Sequence, residues 1–206
     1  MSDTAIHAEA QPDRRVRRTQ EAIRTAFREL FFAHGFDAIS IADIAERADV
    51  GRSTFYKHFE GKDDLLAQSI GPYLEVMAEA CVSAAEPPAL IRVIEHFWDN
   101  RRHARTVFAG GSLILMTRVL AGKIEARLPR LRGCPSAPSS GIPAGLAATQ
   151  LASAELALLV QWLLGRGACP SATLASAMHR SSLAAARALV AGGERVTNTA
   201  HPRESA

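Results

Sequence analysis

Arg52, Ser53, Thr54, Tyr56, Lys57, His58 and Lys62 fall in one short run of the chain. Guanidinium and ammonium groups suit phosphate oxygens and the acceptor atoms of guanine, and hydroxyls bond either phosphates or base edges. The run offers no nucleophile with a base at usable spacing, no glycine-rich phosphate loop and no set of metal ligands. Its chemistry is recognition of a polyanion with readable edges, not bond making, and it predicts a chain that is not an enzyme and needs no metal or cofactor.

For these side chains to act together they must project from something rigid. Phe55 and Phe59, at i and i+4, anchor one side of a helix over 52–59 and leave the polar residues on its other faces. Upstream, Ser40 with Asp43 three residues on reads as a capping box that opens a helix at Ile41. Ile41, Ile44, Ala45 and Ala48 then keep the i, i+3, i+4, i+7 rhythm of a one-sided helix. Asp49 breaks that rhythm, Val50 supplies a buried plug, and Gly51 is assigned the close approach of a tight inter-helix turn. A preceding amphipathic helix from Thr19 buries Ile23, Ala26, Phe27, Leu30 and Phe31, and Gly35 suits a left-handed C-cap. With Phe36, Ile44, Val50, Phe55, Phe59, Leu65 and Leu66 these make a three-helix core.

The run from Ala48 to Leu65, ADVGRSTFYKHFEGKDDL, resembles the helix-turn-helix signature of the tetracycline-repressor (TetR/AcrR) family, and the helix TQEAIRTAFRELFFAHGF before it sits where that family has one. The resemblance covers roughly the first third of the chain. It implies an all-α protein, with an N-terminal three-helix reading head and a larger helical domain for ligand binding and dimerisation. It further implies a cytoplasmic transcriptional regulator, most simply a repressor, that binds double-stranded DNA at a palindromic operator as a homodimer and is released by a small apolar effector. In that reading Arg52, Lys57, Ser53 and Thr54 meet bases, while Tyr56, His58, Lys62 and Ser40 contact phosphates. A competing reading has Tyr56 and His58 merely covering the core. Asp49 and Gly51 depart from the commonest residues at their motif positions. A DNA-binding regulator without a ligand is the main alternative function.

The 206 residues are enough for two helical domains, and the expected division is a flexible basic arm at 1–18, the reading head at 19–66, the ligand and dimer domain at 67–192 and a tail at 193–206. A net charge of +3 does not by itself argue for nucleic acid; placement does, with Arg14, Arg15, Arg17 and Arg18 crowding the arm and two of the three lysines inside the motif. Cys81, Cys134 and Cys169 lie far apart without CxxC pairing and read as reduced thiols. No signal peptide is recognised, and no uninterrupted apolar run reaches the ~18 residues that span a bilayer.

In the remainder, Gly71-Pro72 either kinks a helix that starts near Lys62 or restarts one. Pro87-Pro88 opens a segment with Ile91, Val93, Ile94, Phe97 and Trp98, which the charges from Arg101 interrupt, and another helix follows Gly110-Gly111. The Pro/Ser/Gly-rich stretch 133–143 reads as a loop and holds no nucleophile elbow. Two alanine-rich segments, 144–165 and 171–192, suit a four-helix dimer interface. Phe97, Trp98, Phe108, Met116 and Trp162 are the candidate lining of a cavity for an apolar or aromatic effector.

Overall fold

A computed structural model describes residues 6–131 and 142–190, with side chains from residue 14 onward. The described residues are helical, without a strand: α1 Ile6–His34, α2 Ile41–Arg47, α3 Arg52–Tyr56, α4 Lys62–Ala80, α5 Pro88–Asp99, α6 Arg101–Val107, α7 Gly110–Glu125, a 3-10 turn Leu128–Leu131, α8 Ala144–Leu163 and α9 Ser171–Val190. Cys134, the loop as far as Gly141 and the tail from residue 193 lie outside the described residues.

Local chemistry sets the first boundaries. Ser40 Oγ accepts the Asp43 N–H at 3.2 Å while the Asp43 carboxylate accepts the Ser40 N–H at 2.8 Å, so the expected capping box starts α2. Gly35 takes φ +81 behind α1, as a left-handed C-cap demands. The turn between α2 and α3 corrects the sequence reading: a Cβ at Gly51 would meet nothing nearer than the Ser53 hydroxyl at 3.8 Å, so no close approach requires glycine there, and the turn's left-handed residue is Asp49, φ 54. The Asp49 N–H reaches the Glu46 carbonyl at 3.1 Å and the Val50 N–H the Ala45 carbonyl at 3.0 Å, a Schellman closure that aspartate tolerates better than most residues.

Other boundaries move as well. α1 begins at Ile6, so Arg14, Arg15, Arg17 and Arg18 lie on a helix and not on a flexible arm. α3 ends at Tyr56, short of the expected Phe59, because the chain tightens to bring Phe59 back under Phe55 in the core. α4 runs through Gly71-Pro72 without restarting, and the missing proline N–H leaves the Gln68 carbonyl without its helical donor. The charged residues from Arg101 form a helix of their own, α6.

Two apolar clusters result, and Val107 and Val119 touch both. The head cluster gathers Ile23, Phe27, Phe31, Phe36, Ile39, Ile44, Phe55, Phe59, Leu65 and Leu66, with Leu115 reaching in from α7. Leu30 and Val50, expected inside, are only half-buried at its edge. The body cluster is built from α4, α5, α7, α8 and α9. Glu75 pairs with Lys123 at 2.7 Å and with Arg127, and Glu79 with Arg127 and Arg130, which clamps α4 to α7 and the turn after it. Hydrogen bonds from Arg130 first, then Ser83, hold the Glu79 carboxyl down at about 2.

Head and body are also joined by polar and aromatic contacts. Asp37, between α1 and α2, accepts the N–H of Gly111 in the first turn of α7 at 3.0 Å, where the helix dipole favours a carboxylate. A Cβ at Gly110 would stand 2.6 Å from that carboxylate, and one at Gly111 would collide with it, so the contact needs both glycines. Phe32 of α1 stacks on His103 of α6 with centroids 4.1 Å apart.

α8 is long and apolar enough to cross a membrane by length and composition, beyond what the run from Leu156 suggests. One of its faces is buried in the body cluster against α7 and α9, as in the core helix of a globular domain.

Candidate nucleic-acid interface

Phe55 is fully buried and Phe59 nearly so, and they fix α3 against α1, α2 and the start of α4. Arg52, Ser53, Tyr56 and Lys57 are left exposed, with Thr54 and His58 half-buried. Arg52 to Tyr56 sit on the helix, whereas Lys57 and His58 occupy the turn that ends it, their N–H groups bonded back to Thr54 and Phe55. Tyr56 is 57% exposed, with only its ring edge against Phe55, so it does not act as a lid on the core. Among the described residues neither Arg52 nor Lys57 belongs to an ion pair, while nearby Arg47 is held by Glu29 at 2.6 Å. Arg52 and Lys57 are therefore two exposed cations of the head with no ion-pair partner among the described residues.

Ser40 and Lys62, both assigned to phosphates by resemblance, are already engaged. The Ser40 hydroxyl donates to Asp43 at 2.7 Å, and that bond, with the backbone bond beside it, holds the Asp43 carboxyl below the usual carboxylate range. Its single proton reaches a phosphate only after rotating off Asp43. The Lys62 ammonium donates to the carbonyls of Phe36 at 2.9 Å and Ile39 at 3.0 Å and lies 4.6 Å from the Phe36 ring centroid. Two of its three donors thus pin the loop that carries Asp37. Lys62→Met, which keeps the stem and removes the charge, is expected to lower unfolding stability by about 1–3 kcal/mol in denaturant melts. The salt dependence of DNA affinity reports the third donor separately, falling by ~0.9 in slope if it held a phosphate.

The candidate effector residues meet in pairs and do not line one cavity. Phe108 and Met116 are sealed in the body core, Phe108 edge-on to Phe97 at 5.1 Å. Trp98 and Trp162 pair with each other at 4.5 Å across α5 and α8, and the Trp162 indole N–H donates to the Cys169 carbonyl at 3.0 Å. Only Phe97 reaches a sizeable cavity, a cleft of about 790 Å³ between α1 on one side and α4, α5 and α6 on the other. Sequence reasoning passed over Arg24 and Arg28, which line it from the polar face of α1, although their i, i+4 spacing put them on one helical stripe.

A short helix held on a buried phenylalanine pair, behind a capped helix and a tight turn, defines a helix-turn-helix head. The family described as bacterial regulatory proteins, tetR family, matches residues 23–68, the segment that carries this head. Curated relatives are YxbF of Bacillus subtilis (strain 168), an uncharacterised HTH-type transcriptional regulator 40% identical over 63 residues, and DhaS of Lactococcus lactis, the dhaKLM operon transcriptional activator, 37% identical over 49 residues. Those matches take in 30% and 24% of this chain but only 17% and 26% of the relatives' lengths. A TetR transcriptional regulator from Streptococcus agalactiae shares the fold over 84% of this chain and 98% of its own, with a TM-score of 0.56 at 22% identity.

Proposed function

We infer that the chain is a ligand-responsive repressor that grips a palindromic operator as a homodimer and is released by a small molecule with a largely apolar body. The observation that carries the reading is the exposed Arg52 and Lys57, without an ion-pair partner among the described residues, on a rigid head, too small a contact for tight binding unless two copies act together. Each α3 enters a major groove, Arg52 and Lys57 meeting guanine edges, Ser53 and Thr54 meeting bases or a thymine methyl, and Tyr56 and His58 fixing register on phosphates. Occupying the operator is enough to block a polymerase, which favours repression. The name of the related DhaS favours activation instead, and a reporter gene with and without the protein decides between them.

The test is selection of an operator from random duplexes, followed by variants. Arg52→Ala is expected to cost about 1–3 kcal/mol at one operator position and to relax preference there. Lys57→Ala should do the same at a second position. Equal loss on every duplex would show that these side chains read charge and not sequence. Binding like the parent's would overturn the docking.

A further inference from the structure

The cleft between head and body is large enough for a compact organic ligand. On the body side Tyr73 stacks on His96 at 4.8 Å, 13° from parallel, with Phe97 at 5.4 Å behind it. Opposite, Phe32 and His103 form the one ring pair that crosses from head to body among the described residues. Such flat walls accept a flat guest.

The polar groups say what else that guest carries. Among the described residues Arg24 donates only to the amide oxygen of Gln68 at 3.3 Å, its guanidinium 5.4 Å from the Phe59 ring centroid, and Arg28 only to the hydroxyl of Thr25 at 3.2 Å, both neutral acceptors. Neither guanidinium is in an ion pair among the described residues, and the Glu29 carboxylate beside them is taken by Arg47. Glu21, exposed on the lip, is the other acidic group lining the cleft and stands one turn from Arg24. That leaves Arg28 the better placed anchor. A guanidinium matches a carboxylate in shape and in its fork of donors.

We propose that this cleft binds a planar aromatic carboxylate, its ring between the histidine-backed walls and its carboxylate on Arg28 and Arg24. The inference rests on the regulator reading above for its consequence: a guest in the cleft displaces Phe32 from His103 and pushes α1 away from α6. Release of DNA then follows to the extent that the opened form binds the guest better. The push falls on the wall of α4 where Gln68 lacks its helical donor, four residues before Pro72.

Calorimetric titration of the full chain with 1-naphthoate, and with 1-naphthamide as its uncharged counterpart, tests the site without DNA. Naphthoate is expected to saturate and to bind at least about tenfold tighter than the amide, as a charge-assisted pair implies. The double variant R24Q/R28Q should lose that preference while its ligand-free melting and operator affinity stay those of the parent. Heat that never saturates up to on the order of 1 mM naphthoate, equal affinity for acid and amide, or acid binding unchanged in the double variant would each overturn the proposal. A chain that binds naphthoate as expected but ignores every selected duplex leaves the cleft standing and removes the operator reading, so the two failures are told apart.

Discussion

Leu158→Arg is expected to give a folded monomer that has lost its operator. On the outer face of α8, Leu146 is 61% exposed, Leu158 40% and Leu164 44%, with Thr149, Gln150, Ser153, Ala154, Ala157 and Gln161 among them. That face carries no charge, and the only charged residue of the helix, Glu155, points into the core at 2% exposure. A long uncharged stripe of leucines and small residues is what a helix presents to a copy of itself, with α9 completing a four-helix contact. Arginine at 158 sets two like charges against each other there and strands both in an apolar interface. With a single half-site left, affinity falls from the specific range toward the non-specific one, a loss of about a thousandfold or more. Light scattering and operator titration check both halves. Ile114→Arg, at a site 66% exposed on α7, is the control expected to leave both unchanged. If L158R remains dimeric, the interface lies elsewhere.

How much of this was legible depends on how far apart the partners lie in sequence. The capping box of Ser40 and Asp43, the left-handed Gly35 and the Phe55/Phe59 anchor are local patterns, and each forms as its spacing demands. Gly51 was assigned the close approach of the turn because glycine is the usual occupant, yet the Schellman bonds close on a left-handed Asp49 that no local pattern announced. Lys62 was assigned to a phosphate by resemblance, and the carbonyls of Phe36 and Ile39 that hold it are not visible in sequence. Asp37 and Gly111 meet only because the body folds back on the head, and no period or motif announces that contact. The effector residues failed for a related reason. Large apolar side chains marked Trp98, Trp162, Phe108 and Met116 as notable, but burial and mutual pairing decide whether such side chains line a space or fill one.

Glu155 gives the second large effect, on stability and not on DNA. In α8 it is surrounded by the body cluster, with Cys81, the residue that caps α4, donating its S–H to Oε1 at 3.2 Å and Oε2 without a partner among the described residues. Burial pushes its carboxyl up from 4.5 to about 7, against the pull of hydrogen bonds from Cys81 and Ser182, and burial first, then the Glu155 charge, keeps the Cys81 thiol protonated as the donor. The unfolded chain gives up this proton near pH 4.5, the folded chain only near 7, so between the two the folded state binds more protons. Stability from this group is therefore whole below the unfolded value and is lost as the pH rises through the window, by about 3 kcal/mol in all. Glu155→Gln keeps the shape and removes the titration, at a pH-independent cost if its new N–H₂ finds no acceptor. Denaturant melts at one fixed protein concentration, as the proposed dimer would require, should show the parent losing stability against the variant between about pH 5 and pH 7, and a constant difference above pH 8. Parallel curves across the whole range would mean that Glu155 reaches solvent in the native protein.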